Sequence, residues 1–311
     1  MEAVVVRNAG SHFELSELPV WQPFPAVLRG KVRLDSSRST NPVAVGDRVT
    51  FDVDGSVVDE EHPALITGIL PRANYLIRRS TNLSRQAHVI AANIDRAVVA
   101  VSLYFPEVKL PFLDRILVTC EVYKVPVTIV LNKVDMYRNQ DPESVDAFLD
   151  IYRKAGYDVL QTSVLTGEGI EELRARCSSG VNILCGESGV GKSSIVKALD
   201  PSLSPRTGSI SEVHLQGRHT TSLYEMYPLS SGGFIVDTPG LRGFGLVDLE
   251  KEEIAKYFPE MLRVSDGCRF APCTHTHEPG CAVKAALDRG EISADRYNSY
   301  LGMLEEDQKF R

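Results

Sequence analysis

The sequence predicts an α/β protein in three parts: a small N-terminal β-barrel, a central parallel sheet covered by helices, and a helical C-terminal part. Short strand-like segments separated by turn residues fill the first part. Alternating apolar strands and helices follow, and helical segments then surround a cluster of cysteines. The expected domain boundaries are 1–75, 76–245 and 246–311.

Composition is typical of a soluble globular protein, with 43% hydrophobic and 24% charged residues among 311. No apolar run approaches the roughly 20 residues that cross a bilayer, and the N-terminus lacks the regions of a secretory signal. We therefore expect a cytoplasmic protein with no membrane partner. The net charge of -7 excludes a general attraction to nucleic acid, so any basic footprint is local. The candidates are Arg29, Lys31, Arg33 and Arg38, and Arg78, Arg79 and Arg85; the alternative for both groups is scattered solvated charge.

In the N-terminal part, four segments are expected to be strands: Ala3–Arg7, Ala26–Arg33, Arg48–Val53 and Ala64–Leu70. About five strands would suit an OB-fold. Periodicity alone does not distinguish that fold from an SH3-like barrel.

The lengths of the apolar and helical segments predict the strands and helices of the central and C-terminal parts. Expected central strands are Arg96–Tyr104, Val125–Leu131, Tyr157–Ser163, Val181–Cys185 and Gly233–Val236, and expected helices are Phe112–Tyr123, Ser144–Ala155 and Gly169–Cys177. C-terminal helices are expected near Glu250–Met261, Ala282–Arg289 and Ala294–Glu306.

The strongest motif is a phosphate loop that matches GxxxxGK[ST] between a strand and a helix that starts near Lys192. Its glycines let consecutive backbone N–H groups point at a phosphate. Lys192 would reach the β- and γ-phosphates, and the Ser193 hydroxyl would ligate Mg²⁺. The alternative is a chance glycine turn. The expected nucleotide contacts are Gly186, Glu187, Ser188, Gly189, Val190, Gly191, Lys192, Ser193 and Ser194.

A second motif predicts that the base is guanine. The sequence Asn132, Lys133, Val134 and Asp135 follows an apolar strand. The Asp135 carboxylate can accept two hydrogen bonds from guanine, whereas adenine would leave a buried carboxylate there unpaired. Lys133 can lay its stem over the base, and Asn132 can tie neighbouring loops together. The alternative is an ATPase of the same fold, and the presence of Asp135 argues against it.

Two shorter segments complete the expected nucleotide site. At Ser163 and Val164, after the next strand, backbone N–H groups would meet the guanine carbonyl oxygen. Asp237 begins a DTPG segment, where it would hold the Mg²⁺ shell while the Gly240 N–H meets the γ-phosphate. Taken singly, each segment is an ordinary turn.

The order of these motifs is circularly permuted, because the guanine motif at 132 precedes the phosphate loop at 186 and DTPG at 237. A parallel sheet keeps its strand-end site when the termini move to another loop. With these motifs in this order, the chain resembles the ribosome small-subunit-dependent GTPase family (RsgA, also called YjeQ) over essentially its full length. The resemblance implies an N-terminal OB-fold, a permuted P-loop GTPase domain and a C-terminal zinc domain. It also implies GTP hydrolysis that the small ribosomal subunit stimulates, during late maturation of that subunit.

The resemblance extends to a segment between the phosphate loop and DTPG. Gly217-Arg-His219-Thr220-Thr221 resembles the family's switch segment, in which one threonine completes the Mg²⁺ shell. We assign Thr221 to that role, with Thr220 as the alternative. Leu241 follows DTPG where Ras-like enzymes carry a glutamine that positions water, and leucine cannot do this. The resemblance makes His219 the catalytic candidate; the alternative is a surface histidine.

The cysteines point to one structural zinc ion. Cys268, Cys273, His275 and Cys281 have the residue types of a closed tetrahedral site, and their spacing resembles that of the family. His277 is an alternative ligand to His275, and free thiols in a small core are the alternative to a metal. The other cysteines (Cys120, Cys177 and Cys185) are scattered, which favours a reduced cytosol over a disulfide framework.

The expected function is therefore a Mg²⁺-dependent GTP hydrolase whose partners are GTP, GDP, the small ribosomal subunit and its rRNA. We expect a monomer. The alternative function is an RNA-binding assembly factor that senses GTP with little turnover. Because DTPG leads straight into the C-terminal part, we also expect the nucleotide state to reposition the zinc domain.

Overall fold

The computed structural model describes residues 1–10, 12–28, 43–55, 57–79, 87–203, 224–237 and 249–309. The first of the two basic groups, at 29–38, lies outside these residues, as does Arg85. Among the described residues, no helix combines the length and the apolar character that crossing a bilayer requires.

The N-terminal strands close into a barrel. They are β1 (Glu2–Ala9), β2 (His12–Ser16), β3 (Phe24–Leu28), β4 (Arg48–Asp52) and β5 (Ala64–Ile69). The pairing order is β1-β2-β3-β5-β4 and back to β1, with β3 and β5 parallel and the other pairs antiparallel. This five-stranded closed barrel confirms the OB-fold prediction. Strand β2 was not predicted, although its alternation of polar and apolar residues is typical of a half-buried strand.

A hairpin of β6 (Tyr75–Arg79) and β7 (Ala87–Ala92) follows the barrel as a separate two-stranded sheet. This hairpin was not predicted from the sequence. Its second strand leads into the central sheet, since β8 begins only four residues after β7 ends.

The central sheet contains β8 (Arg96–Val101), β9 (Val127–Asn132), β10 (Asp158–Thr162), β11 (Val181–Cys185), β12 (Tyr224–Pro228) and β13 (Phe234–Asp237). Strands β10-β9-β8-β11-β13 are parallel in that order, and β12 is antiparallel to β13. The helices are α1 (Leu110–Val122), α2 (Val134–Tyr137), α3 (Pro142–Ala155), α4 (Ile170–Arg176) and α5 (Lys192–Leu199).

Both faces of this sheet are buried. Along β8, Val99 belongs to the core that α1 covers, whereas Val98 and Ala100 belong to the core that α4 and α5 cover. Alternate residues of a strand point to opposite faces, so a strand buried on both sides reads as a continuous apolar run. That is why the central strands were predicted well.

The C-terminal part contains α6 (Lys251–Ile254), a single 3₁₀ turn at Ala255–Tyr257, α7 (Pro259–Ser265), α8 (Ala282–Asp288) and α9 (Ala294–Lys309). The prediction of one helix over Glu250–Met261 was wrong. Phe258 has extended dihedral angles, φ -107° and ψ 99°, because the residue before a proline avoids the helical region. Pro259 then starts a new helix.

Arg296, in α9, joins the C-terminal part to the central domain. Its fully buried guanidinium donates to Glu260 on α7, with Nε–Oε1 at 2.7 Å and Nη2–Oε2 at 3.1 Å, and to Asp114 on α1, with Nη1–Oδ1 at 2.7 Å. It also lies 4.6 Å from the ring centroid of Phe258. Burial raises the pKa of Asp114, and the positive charge of Arg296 opposes that rise.

We expect Arg296→Ala to destabilise the protein by about 3–5 kcal/mol, because it leaves two buried carboxylates without their cation. Arg289→Ala is the matched control: Arg289 pairs with Glu291 at 2.7 Å on the exposed surface, where such a pair contributes about 0–1 kcal/mol. Urea denaturation of both variants measures the difference. Equal free energies of unfolding would contradict the assigned role of Arg296.

Candidate functional site

The predicted nucleotide motifs meet at one edge of the central sheet. Asn132 is the last residue of β9, Ser163 follows β10, Gly186 follows β11, and Asp237 is the last residue of β13. These strands are parallel, so their carboxyl ends lie together, which is where open α/β sheets bind ligands. The order of the motifs along the chain has no effect on this arrangement.

The phosphate loop has the backbone geometry that its glycines permit. Gly186, Gly189 and Gly191 have φ values of 142°, 87° and 102°, a region that other residues rarely adopt. A Cβ atom on Gly186 would lie 2.3 Å from the carbonyl oxygen of Ala100. Within the described part of the chain, no backbone hydrogen bond uses the N–H groups of residues 187–191 and 193. These groups are therefore available to an anion at the start of α5.

Lys192 opens α5 and turns its ammonium back over the loop. Its Nζ donates to the carbonyl oxygens of Gly186 and Glu187, each at 2.8 Å. This places a positive charge beside the loop that the N–H groups line. Ser193 is half-buried in the first turn of α5, whereas Ser188 and Ser194 are exposed.

Asn132 ties the guanine motif to the neighbouring loops, as its sequence position predicted. Its buried side chain donates from Nδ2 to the carbonyl oxygen of Val190 at 2.9 Å and accepts from the Thr162 hydroxyl at 3.0 Å. The hydroxyl of Tyr137 donates to the Asn132 carbonyl oxygen. One amide side chain thus fixes the phosphate loop relative to the ends of β9 and β10.

Lys133 makes a second link across the site. It has a left-handed backbone, with φ 64°, and its Nζ donates to the carbonyl oxygens of Gly189 at 2.7 Å and Phe105 at 2.6 Å. The stem of Lys133 therefore stretches between the guanine motif and the phosphate loop. Phe105, whose side chain is 75% exposed, was missed by the sequence analysis because it matches no nucleotide motif.

The two remaining residues of the guanine motif differ in burial. Val134 is buried in the core beneath α1 and α3, so its side chain anchors the motif. Asp135 is exposed in the first turn of α2. From the sequence this carboxylate was expected to be buried; in the described structure it is exposed.

The loop after β10 departs in detail from the expectation. The N–H of Ser163 donates to the carbonyl oxygen of Glu168 at 3.0 Å, and its hydroxyl accepts from the N–H of Thr166 at 3.1 Å. Ser163 therefore shapes the loop with the N–H that was expected to meet guanine. No hydrogen bond among the described residues uses the N–H of Val164. Leu165, next to it, is 85% exposed, and the sequence analysis did not single it out.

The segments that were expected to contact Mg²⁺ and the γ-phosphate are only partly described. Asp237 lies opposite Leu184 in the parallel β11–β13 pair, so DTPG starts beside the strand that leads into the phosphate loop. Gly240, His219, Thr220, Thr221 and Leu241 lie outside the described residues.

The predicted zinc ligands come together at one point. The ligand atoms of Cys268, Cys273, His275 and Cys281 all lie within 4.8 Å of one another. The Nδ1 atom of His275 lies 3.6 Å from the Cys268 sulfur and 3.4 Å from the Cys281 sulfur. His277 is not in this cluster; its Nδ1 lies 2.9 Å from the Thr276 hydroxyl. Three sulfurs and one imidazole nitrogen fit a closed tetrahedral Zn²⁺ site with no open position.

Glu278 holds the loop that carries His275. Its carboxylate accepts from the N–H and hydroxyl of Thr274 at 2.7 and 2.6 Å and from the N–H of Thr276 at 3.1 Å. Partial burial raises the pKa of Glu278. The hydrogen bonds, with those from Thr274 foremost, outweigh this effect and lower the pKa to about 2. Tyr297 donates its hydroxyl to the His275 carbonyl oxygen at 2.6 Å, which fastens the same loop to α9.

The family model described as RsgA GTPase matches residues 69–247. The small ribosomal subunit biogenesis GTPase RsgA of Bacteroides fragilis is 44% identical over 313 residues, which cover 100% of this chain and 99% of that protein. The protein of the same name from Porphyromonas gingivalis is 44% identical over 314 residues, covering 100% of this chain and 98% of the relative.

Two solved structures have a similar fold. The crystal structure of YjeQ from Thermotoga maritima superposes with a TM-score of 0.78 and 32% identity, covering 98% of this chain and 97% of that one. YloQ, described as a circularly permuted GTPase, gives a TM-score of 0.72 at 26% identity, covering 100% of this chain and 96% of that one.

We expect Asp135→Asn to weaken GTP binding by roughly 1–3 kcal/mol, because guanine loses a charged acceptor for two hydrogen bonds. The same variant should gain affinity for xanthosine triphosphate, whose carbonyl can accept from the new amide. Titration calorimetry with both nucleotides measures this exchange. Asp146→Asn, an exposed residue of α3, is the control. Unchanged GTP affinity in Asp135→Asn would rule out the assignment.

We expect the purified protein to hold about one zinc ion per chain, as a closed four-ligand site does. Cys273→Ser should lose most of the metal because it removes a thiolate, whereas His277→Ala should retain it because His277 lies outside the cluster. Elemental analysis of the two variants gives the answer. Equal zinc loss in both would show that the ligand set is wrong.

Proposed function

The chain belongs to the RsgA GTPase family, and on that premise we propose that it hydrolyses Mg²⁺-bound GTP during maturation of the small ribosomal subunit, with turnover stimulated by that particle. Its partners are then GTP, GDP and the small subunit with its rRNA. The proposal assigns the chain to the cytoplasm and needs no second copy of it. The domain limits of 1–75, 76–245 and 246–311 remain part of this proposal.

The proposal that the chain binds GTP rests on one observation: hydrogen bonds join the guanine motif to the phosphate loop. Asn132 reaches Val190 and Lys133 reaches Gly189, so the residues that read the base hold the loop that binds the phosphates. A base and a phosphate chain that belong to one molecule need their two subsites at a fixed distance.

Each part of GTP then has its own contacts. Asp135 accepts from the guanine N–H groups, the Val164 N–H meets the guanine carbonyl oxygen, and the Lys133 stem lies over the base. The N–H groups of residues 187–191 and 193 surround the phosphates, and the Lys192 ammonium leaves its carbonyl partners for the β- and γ-phosphate oxygens. Pairing with phosphate is stronger because it joins full opposite charges.

Oxygen ligands supplied by Ser193, Asp237 and Thr221 suit Mg²⁺, a hard cation that prefers oxygen. When bound, the ion neutralises charge on the β- and γ-phosphates. Asp237 pairs in register with Leu184, so the DTPG segment starts next to the strand that leads into the phosphate loop. This position supports the assignment of Asp237 to the Mg²⁺ shell. Gly240 donates its N–H to the γ-phosphate.

Water activation is assigned to His219. Leu241 has no polar atom, so it can neither orient nor deprotonate a water molecule. An imidazole can do both near neutral pH. The family resemblance is the support for His219. Zinc has a structural role in this proposal, because all four ligand positions are filled by the protein and none remains for substrate.

We expect Lys192→Ala and His219→Ala to separate binding from chemistry. Lys192→Ala should lose GTP affinity as well as turnover, because the ammonium already contacts the phosphates in the ground state. His219→Ala should keep its affinity and lose subunit-stimulated turnover, because water positioning matters chiefly in the transition state. Calorimetry and phosphate release with purified small subunits measure the two quantities.

Lys197→Ala, on the exposed side of α5, and His62→Ala, on the barrel, are the matched controls. Normal turnover by His219→Ala on the particle would reject the catalytic role. GTP binding without phosphate release by the unaltered protein would instead support a factor that senses GTP, and tighter binding of ATP than of GTP would overturn the guanine assignment.

A further inference from the structure

The barrel and the central sheet share a strand. One edge of β1 pairs with β2, while the other edge pairs first with β4, at Glu2–Val4, and then with β12, at Arg7 and Asn8. A bulge between Val5 and Arg7 lies at this change of partner. The barrel is therefore joined to the central sheet by backbone hydrogen bonds, in addition to the peptide connection through β6 and β7.

Side chains of β1 divide between the two domains in the same way. Val5 belongs to the barrel core, whereas Val6 belongs to the core of the central sheet. Tyr224 and Met226, from β12, are buried in that same central core. A displacement of β12 would therefore strain packing around β1, because protein interiors are close-packed.

A second contact joins the barrel to β13. The ring of Trp21, in the connection between β2 and β3, stacks on the ring of Phe234 with centroids 5.7 Å apart and planes 30° apart. Phe234 is the first residue of β13, three residues before Asp237. Trp21 is the only tryptophan in the 311 residues.

These contacts involve the β12–β13 hairpin. It lies between the segment that ends at Thr221 and the DTPG segment, both of which are assigned to Mg²⁺ and the γ-phosphate. Strand β12 begins three residues after Thr221, and β13 ends at Asp237, the first residue of DTPG. The strands pair from Glu225–Asp237 to Pro228–Phe234, so they move as a unit. In GTPases, such flanking segments are ordered by the γ-phosphate and its Mg²⁺ and released after hydrolysis.

We propose that the β12–β13 hairpin couples the nucleotide state to the barrel, through its backbone pairing with β1 and the Trp21–Phe234 stack. This inference rests on the proposed GTPase function. It differs from the expectation that the zinc domain is the part that moves. That domain is held on α1 by the buried Arg296, with Asp114 and Glu260, and no such buried ion pair among the described residues joins the barrel to the hairpin.

Coupling of this kind acts in both directions. If the triphosphate changes the barrel's preferred position, a partner that holds the barrel changes the relative affinity for GTP and GDP by the same factor. A surface of the barrel far from the phosphates then regulates the nucleotide site without touching the nucleotide.

The first test uses Trp21 as an internal probe. Emission and acrylamide quenching are recorded for the full chain saturated with Mg²⁺–GDP or with Mg²⁺ and a non-hydrolysable GTP analogue, and saturation is confirmed by calorimetry. The expected result is a difference in emission or quenching between the two states. Identical values in the two saturated states would overturn the coupling.

A second measurement locates the change. Hydrogen exchange of β1 peptides should differ between the two nucleotide states, whereas peptides from α9 around Arg296 should not. Trp21→Leu should reduce the β1 difference at least twofold while leaving GTP affinity unchanged. Phe24→Leu is the matched control, because Phe24 packs on Phe51 inside the barrel, with centroids 5.2 Å apart.

The outcomes separate the inference from the proposed function. Failure to bind GTP would contradict the proposed function itself. Normal binding and turnover, with β1 exchange the same in both states, would reject only the coupling. A nucleotide-dependent change confined to α9 would also reject it and would restore the zinc domain as the moving part.

Discussion

Parallel pairing of β10, β9, β8, β11 and β13 forces the carboxyl ends of five strands to one edge of a sheet. The loops that leave this edge carry the guanine motif, the phosphate loop and the start of DTPG. The direction of each strand and its pairing partners fix the positions of these loops. The place where the chain begins does not affect them. A chain that enters the sheet at β8 therefore builds the same edge as one that would enter at β11, which is the physical basis of permutation.

Proximity alone would leave these loops free to move independently. Asn132 and Lys133 remove that freedom with hydrogen bonds to Val190 and Gly189, and the Asn132 amide is buried, so its partners cannot be exchanged for water at low cost. Both residues belong to the motif to which we assign base recognition. In the proposed function, base recognition and phosphate binding therefore depend on a common set of contacts, and a change in either loop affects the other.

Much of this could be predicted from the sequence, and the failures have physical causes. The central strands are buried on both faces and read as apolar runs, and the zinc ligands are distinctive in type and spacing. Strand β12 lacks such a run, and Pro259 divided what looked like one helix. The carbonyl oxygen of Phe105 accepts a hydrogen bond from Lys133, and the N–H of Ser163 donates to the carbonyl oxygen of Glu168. Backbone hydrogen bonds of this kind do not depend on residue type, so the sequence does not reveal them.

The contact between Arg296 and Asp114 joins residues 182 positions apart in the chain. At a synthesis rate of about 5–20 residues per second, Asp114 is made roughly 10–40 s before its cation exists. Until Phe258 and Met261 are made, the face of α1 that includes Val118, which these two residues later pack against, has no cover from the C-terminal helices. Nascent chains that end before Phe258 therefore expose an apolar helix face beside a carboxylate that has no cation, a surface open to chaperones and proteases.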